Sequence, residues 1–282
     1  MEILKQVKSL EDRFLVKDID NAKRVAEELV AHVLGCRPLE VYLLAKPLAE
    51  EELQALEKLA TRIEAGEPLQ YVVGHVDFFG LEILCDPRAL IPRPETELLV
   101  EEVLASNIWK KSPTKIVEVG TGSGCISVAL ATHRPEANFT ACDISPEALA
   151  LAKENARRHG QEEKIQWLEN HLLNSFSPAS CNGIVANLPY ISSSDWKQLD
   201  GSVRDHEPRS ALDSGPSGME LIEELSSQAR EILVPGGMLF LEFGFDQGEA
   251  VFQCLEKRSY THIQIKPDLA GLDRMAIAEN SL

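Results

Sequence analysis

The residues Asn187-Leu188-Pro189-Tyr190 follow the apolar run Gly183-Ile184-Val185-Ala186 and bring together groups that can hold a planar –NH2 group. The Asn187 side-chain carbonyl and the Leu188 backbone carbonyl can each accept one of its hydrogens. The Tyr190 ring can stack on its flat face, as aromatic rings do in enzymes that grip an extruded base. Taken alone, such a tetrapeptide reads equally well as a plain strand-end turn. Its weight comes from what precedes it in the chain.

Upstream, the strand-like run Ile116-Val117-Glu118-Val119 enters Gly120-Thr121-Gly122-Ser123-Gly124 and then, without a spacer, a helical segment. Glycines let a backbone turn sharply and approach a ligand closely. In open parallel sheets, ligands bind beyond the carboxyl ends of the strands. A dinucleotide fingerprint requires GxGxxG, but its third glycine position holds Cys125. GxGxG after an acidic strand residue is instead the pattern of S-adenosylmethionine-dependent methyltransferases, where the loop packs on the amino-acid and ribose portions of the cofactor.

Asp143 closes the next apolar strand and can accept both ribose hydroxyl hydrogens. It could also cap the helix that opens at Ser145, and the two roles are compatible. After the third strand, Leu172 would pack on the adenine ring, and the fourth strand carries Asn187 to the sulfonium. Loop, acid, adenine wall and clamp therefore fall on successive strand ends, in order.

The elements that must position these residues alternate. From Lys115 onward strands are expected at 115–119, 138–142, 165–168, 183–186, 238–242, 262–265 and 274–278, and helices at 125–133, 146–158, 218–233 and 246–258. That alternation predicts an α/β domain, a parallel sheet with helices on both faces. Ser145-Pro146-Glu147 reads as a helix start with Ser as N-cap and Pro in the first turn.

Residues 1 to about 70 read as helices only. Positions 22, 25, 26, 29, 30, 33 and 34 form one apolar stripe ending at a Gly35 C-cap, and Leu53, Leu56, Leu59, Ala60 and Ile63 form another. Between them and the sheet, residues 71–84 alternate as a hairpin should. Tyr71, Phe78 and Phe79 are expected in the core. The segment Ile91-Pro92-Arg93-Pro94-Glu95-Thr96-Glu97 then begins a helix, with Thr96 expected as its N-cap. Arg93 and Glu95 either brace the hairpin against the site or form an inter-domain structural ion pair.

Composition narrows the partners. The 282-residue chain carries 28 basic against 45 acidic residues, a formal net charge of −17. Nucleic-acid backbones are gripped by clustered Lys and Arg, so a protein or small-molecule substrate is favoured. The six cysteines are scattered, without CxxC or His/Cys ligand spacing, and read as reduced packing groups rather than metal ligands. No apolar stretch approaches the roughly 20 residues that span a bilayer. The acidic start lacks a signal-peptide pattern, so the cytoplasm is expected.

The chain resembles the HemK/PrmC family, the N5-glutamine methyltransferases of peptide chain release factors. The resemblance covers nearly the whole chain. It rests on Gln70-Tyr71-Val72-Val73-Gly74, Ile91–Glu97, Gly120–Gly124, Asn187–Tyr190, Glu207-Pro208-Arg209-Ser210-Ala211-Leu212 and Asp268-Leu269-Ala270-Gly271-Leu272-Asp273-Arg274. The IPRPETE segment is the most specific of these.

The resemblance implies a Rossmann-like class I methyltransferase domain over 96–282, preceded by a hairpin linker at 71–95 and a helical substrate-recognition domain at 1–70. It implies methyl transfer from S-adenosylmethionine to the glutamine amide of a Gly-Gly-Gln motif. Gly120, Thr121, Gly122, Ser123, Gly124, Asp143, Leu172 and Asn187 would contact the cofactor. Asn187, Leu188, Pro189 and Tyr190 would hold the acceptor, with Asn187 and Tyr190 catalytic. Release factors are the expected partners of a monomer that uses neither nucleic acid nor membrane.

Leu188 stands where the family usually has a second proline, and His171 where it commonly has an acidic residue. Three rivals differ in substrate or class: a ribosomal-protein glutamine methyltransferase, an adenine N6-methyltransferase with a similar NLPY motif, and a catalytically silent binding module.

Overall fold

A computed structural model describes residues 2–44, 47–110 and 113–281. The chain divides into two compact units, one of residues up to His75 together with Gly201–His206, the other of Val76–Asp200 and Glu207 onward. Among the described residues no helix is long and apolar enough to cross a membrane.

The first unit is helical: α1 (Glu2–Val16), α2 (Ala22–Leu34), α3 (Glu50–Glu64) and α4 (Leu69–Val73). Both expected stripes point inward. Val25, Ala26, Leu29 and Val30 of α2 meet Leu56, Ala60 and Ile63 of α3 and Phe14 of α1 in one apolar cluster. Gly35 ends α2 in the left-handed conformation, its N–H bonding the Ala31 and His32 carbonyls.

The expected hairpin begins later than its alternation implied, because Tyr71 lies in α4 and the strands are β1 (His75–Phe78) and β2 (Leu81–Leu84). Tyr71 and Phe78 are buried as expected, whereas Phe79 is half-buried against the His133 ring. Next come α5 (Pro94–Ala105), β3 (Lys115–Val119), α6 (Cys125–His133), β4 (Asn138–Asp143), α7 (Pro146–Arg158), β5 (Ile165–Glu169) and β6 (Cys181–Asn187). Then come β7 (Ile191–Ser192), α8 (Ser193–Trp196), α9 (Gly201–Arg204), which belongs to the first unit, and β8 (Asp213–Gly215), which pairs with β7. The chain closes with α10 (Glu220–Ile232), β9 (Leu233–Glu242), α11 (Gly248–Lys257), β10 (Tyr260–Pro267) and β11 (Asp273–Asn280).

Seven strands form one sheet in the order β10-β11-β9-β6-β3-β4-β5. Strands β5, β4, β3, β6 and β9 run parallel, while β11 pairs antiparallel with both β9 and β10. The parallel sheet expected from the alternation is found, with one antiparallel edge. A parallel crossover needs a dozen or more residues, and the short link between Pro267 and Asp273 permits only a hairpin.

Successive strand residues alternate between the two faces. Val117, Ile184, Ala186, Leu239 and Leu241 pack with α10 and α11, whereas Ile116, Val185 and Phe240 pack with α5 and α6. All six cysteines are free and five are buried, which accords with small packing groups.

Thr96 is not a helix cap. Arg93 takes that place in extended conformation, Pro94 opens α5, and Thr96 falls in the first turn and is buried. A proline is preorganised for the first helical position, so it moved the start upstream of the hydroxyl. Ser145 caps α7 as expected, its Oγ accepting from the Ala148 N–H at 3.1 Å.

Candidate active site

The strand order reverses between β3 and β6, because the chain steps outward through β4 and β5 and then returns to the other side of β3. Such a reversal opens a crevice at the carboxyl ends of the two central strands. A cavity of about 340 Å³ lies there, lined entirely by residues of the second unit. Of the expected site residues, Gly120, Thr121, Gly122, Ser123, Asp143, Leu172, Asn187, Leu188 and Pro189 line it; Gly124 and Tyr190 do not.

The glycine loop is shaped by contacts on each side. The Gly120 and Thr121 N–H groups both donate to the Cys142 carbonyl, at 2.9 and 3.0 Å. Gly120 has φ +72°, and a Cβ there would sit 2.9 Å from Leu188 Cδ2. Gly124 serves helix packing instead, since its Cβ would stand 2.9 Å from that of Ala152 on α7. Asn155, fully buried on α7, was not foreseen. It donates to the Ser123 carbonyl at 2.9 Å and clasps the Leu84 backbone with both amide atoms, tying the loop to the hairpin.

Two carboxylates serve the loop. Glu118 at the end of β3 accepts from the Thr121 hydroxyl at 2.7 Å and the Ser127 N–H at 3.0 Å through Oε2, while Oε1 is buried without a partner among the described residues. Burial pushes its pKa up to about 7. Asp143 accepts from the Gly122 N–H at 2.8 Å and the Ser145 N–H at 2.9 Å. Burial raises its pKa above the ordinary carboxylate range. It therefore holds the loop and the Ser145 turn in place and still lines the cavity.

Leu172, buried and with φ +45°, lines the cavity, as does Ile144. Its carbonyl accepts from Asn170 Nδ2 at 2.9 Å. His171 lines the cavity too, with Nδ1 3.6 Å from the Glu224 carboxylate.

At the clamp, Asn187 is in register with Glu242 on β9. Asn187 Nδ2 donates to Thr96 Oγ1 at 3.0 Å, and that hydroxyl donates to Glu242 Oε2 at 2.7 Å. Glu242 is almost fully buried, which raises its pKa to about 7 despite the hydrogen bonds from Thr96 and Asn187 and the Arg274 charge. Leu188, 5% exposed, fills the space above Gly120 and joins the apolar cluster of the α10 face. Nothing local in the chain marks Thr96 and Glu242 as partners of the clamp. The one available signal was a carboxylate ending the apolar run Met238-Leu239-Phe240-Leu241.

Tyr190, expected to hold the acceptor, is half-buried and follows the cavity-lining Pro189. Its ring packs on the cluster that holds Leu188, its carbonyl accepts from Gln247 Nε2 at 2.9 Å, and burial pushes its phenol up to about 12. Proline fixes the chain direction at 189, and the charges of Glu242, Arg274, Arg93 and Glu95 act on the Tyr190 phenol.

Arg93 meets neither of its expected roles with Glu95. It pairs with Glu207, whose buried carboxylate also accepts from the Ile91 N–H at 3.1 Å. The ion pair fastens the IPRP segment to Pro208, and both border the cavity.

The cavity fits S-adenosylmethionine in chemistry. It offers a buried carboxylate oxygen without a partner for a cation, a second carboxylate for hydroxyls, and apolar walls at Ile144 and Leu172 for an aromatic ring.

Comparison with known proteins gives this geometry a family. A family model described as the PrmC N-terminal domain matches residues 6–74, and one described as the methyltransferase small domain matches residues 96–200. The release factor glutamine methyltransferase of Nitratidesulfovibrio vulgaris is 36% identical, the alignment covering 96% of this chain and 92% of that one. The chain belongs to the release factor glutamine methyltransferase family. The enzyme of the same name from Chlorobaculum tepidum is 38% identical over 93% of this chain and 91% of its own length. That of Moorella thermoacetica is 41% identical over 83% and 81%. Among solved structures, a release factor-specific protein-(glutamine-N5) methyltransferase from Alicyclobacillus acidocaldarius matches with 27% identity and a TM-score of 0.42, covering 70% of this chain and 99% of that one.

Proposed function

We propose that the protein transfers a methyl group from S-adenosylmethionine to the side-chain amide nitrogen of the glutamine in the Gly-Gly-Gln motif of peptide chain release factors. The observation that carries this reading is the orientation of Asn187. Its Nδ2 is turned to Thr96, and among the described residues no hydrogen bond occupies its Oδ1 at the cavity wall.

Gly120 to Gly124, Asp143, Leu172 and Asn187 would hold the cofactor, Gly124 by bringing α6 close to α7. When bound, the cofactor supplies a methyl group on a positively charged sulfur. The chain's own part is to bind and orient the acceptor. An amide nitrogen is a weak nucleophile, because its lone pair is delocalised into the carbonyl. Asn187 Oδ1 and the Leu188 carbonyl accept its two N–H hydrogens and present the nitrogen in one direction. Orientation of this kind contributes several kcal/mol, up to about 7–11 in the best intramolecular cases. Tyr190 and Gln247 anchor the turn from beneath, and the Arg93–Glu207 pair holds the IPRP wall.

A formal net charge of −17 supports a protein acceptor over nucleic acid. The helical first unit then recognises the release factor, and the site of action is the cytoplasm, where translation ends.

Labelled S-adenosylmethionine tests the reading with a wild-type release factor and one carrying Gly-Gly-Ala. Label on the wild-type factor alone is the expected result; label on both, or on neither, defeats it. Asn187→Ala should lower kcat about 100-fold or more, the loss of orientation, a larger fold-change than the weakening of the cofactor Kd that losing one cofactor contact brings. A kcat near wild type would remove Asn187 from the clamp.

A further inference from the structure

Thr96, in the most distinctive segment of the chain, stands between the clamp and a buried carboxylate. Asn187 Nδ2 lies 3.0 Å from its Oγ1, and Oγ1 lies 2.7 Å from Glu242 Oε2. These groups can be connected in only one direction. An amide nitrogen donates and does not accept, an ionised carboxylate accepts and does not donate, and a hydroxyl has a single hydrogen. Thr96 must therefore give its hydrogen to Glu242 and receive one from Asn187. A flipped Asn187 would set Oδ1 against a hydroxyl oxygen whose hydrogen is already committed. Two acceptors would then face each other in a buried place, which costs on the order of a lost hydrogen bond.

We infer that Thr96 and Glu242 are positioning residues that lock the Asn187 amide in the one orientation able to accept from the substrate's –NH2 group. The inference rests on the methyl-transfer reading above. It gives the IPRPETE segment a task at the reaction centre, because α5 delivers Thr96 to β6 and β9, where Asn187 and Glu242 are register partners.

The lock has a pH range. Protonated, Glu242 could donate to Oγ1, and the freed hydroxyl hydrogen could then satisfy a flipped Oδ1. Burial brings this carboxyl to about 7. The charged and titratable groups around it are Arg274 on β11, which favours ionisation, Glu95 on α5, which opposes it, and Tyr190 after β6.

The test uses the full chain with a release factor and labelled S-adenosylmethionine. Thr96→Val keeps the side-chain shape and removes both hydrogen bonds; Thr96→Ser restores the hydroxyl. Valine should lower kcat about tenfold or more with cofactor Kd little changed and with a lowered thermal midpoint, since Glu242 and Asn187 each lose a partner, and serine should recover at least about fivefold over valine in kcat, a change of roughly 1 kcal/mol. Glu242→Gln should lower kcat and abolish a wild-type loss of kcat below pH 7. That variant decides the matter if valine at 96 prevents folding. A valine variant with kcat within about twofold of wild type, a serine variant no better than valine, or a Gln variant with the wild-type acid limb would overturn the inference. An unlabelled release factor with the wild-type enzyme overturns the parent reading as well. A labelled wild type beside an equally active valine variant overturns this inference alone.

Discussion

Glu118 shows how a single buried side chain sets a measurable pH dependence. Desolvation raises its pKa from 4.5 to about 7, opposed by the bonds from Ser127 and Thr121 and reinforced by the nearby Asp143 charge. The folded state thus holds this proton to higher pH than the unfolded chain does. Between 4.5 and 7 the folded form binds more protons, so stability contributed by Glu118 falls as pH rises and levels off above 7. A glutamine at this position has nothing to titrate. The stability of Glu118→Gln relative to wild type should therefore increase from pH 4.5 to pH 8. The gain should be roughly 3 kcal/mol at most, since each pH unit separating the folded and unfolded pKa is worth about 1.4 kcal/mol. Urea unfolding of both proteins at pH 4.5, 6 and 8 measures it. A difference that stays constant across the three would place the proton elsewhere. The sequence marked Glu118 as the acidic residue before the glycines, but its unpartnered Oε1 could not be read there, because burial depends on the helices that cover the strand end.

At the scale of elements, the β3–α6 loop and the β6 clamp are a single packed object. Leu188 reaches back over Gly120, and a methyl group added at Gly120 would press on Leu188 Cδ2 at 2.9 Å in a backbone conformation with φ +72°. Gly120→Ala should destabilise through both strain and collision. Leu188→Ala alone should cost about 2–4 kcal/mol through lost packing. Together they should cost less than the sum, by about 1–2 kcal/mol, because the second substitution removes the object of the collision. Denaturant unfolding of the four proteins closes the cycle, and strict additivity would mean that loop and clamp pack independently. This coupling also explains what the sequence concealed. Glycine spacing, strand alternation and the Ser145 cap are local patterns, and each was found where it was expected. The Leu188–Gly120 contact, the Thr96–Glu242 bond and the Arg93–Glu207 pair join residues far apart in the chain. Thr96 was mistaken for a cap because a hydroxyl near a helix start is most often one.

The molecule as a whole divides its apolar residues into separate cores. Ile3, Phe14, Leu29 and Ile63 belong to a cluster built only from first-unit residues, while the clusters on both sheet faces and the cavity lining come only from the second. A unit with its own core can fold alone, and the cofactor cavity draws nothing from the helical unit. The segment Gly201–His206 crosses this division: it leaves the second unit and clusters with the first, where His206 Nε2 lies 3.8 Å from the position of a Cβ on Gly66. A chain beginning at Val76 should therefore fold and bind S-adenosylmethionine with a Kd within about threefold of the full chain, less than 1 kcal/mol. With the helical unit gone, recognition of the release factor should suffer, and kcat/KM should fall about tenfold or more, at least about 1.4 kcal/mol of transition-state binding. Calorimetric titration with cofactor and a labelling assay at several release factor concentrations separate the two effects. Cofactor binding lost on truncation would show that the second unit needs the first to form its cavity. Unchanged kcat/KM would take substrate recognition away from the helical unit and assign it to β7, α8 and β8, which follow the clamp.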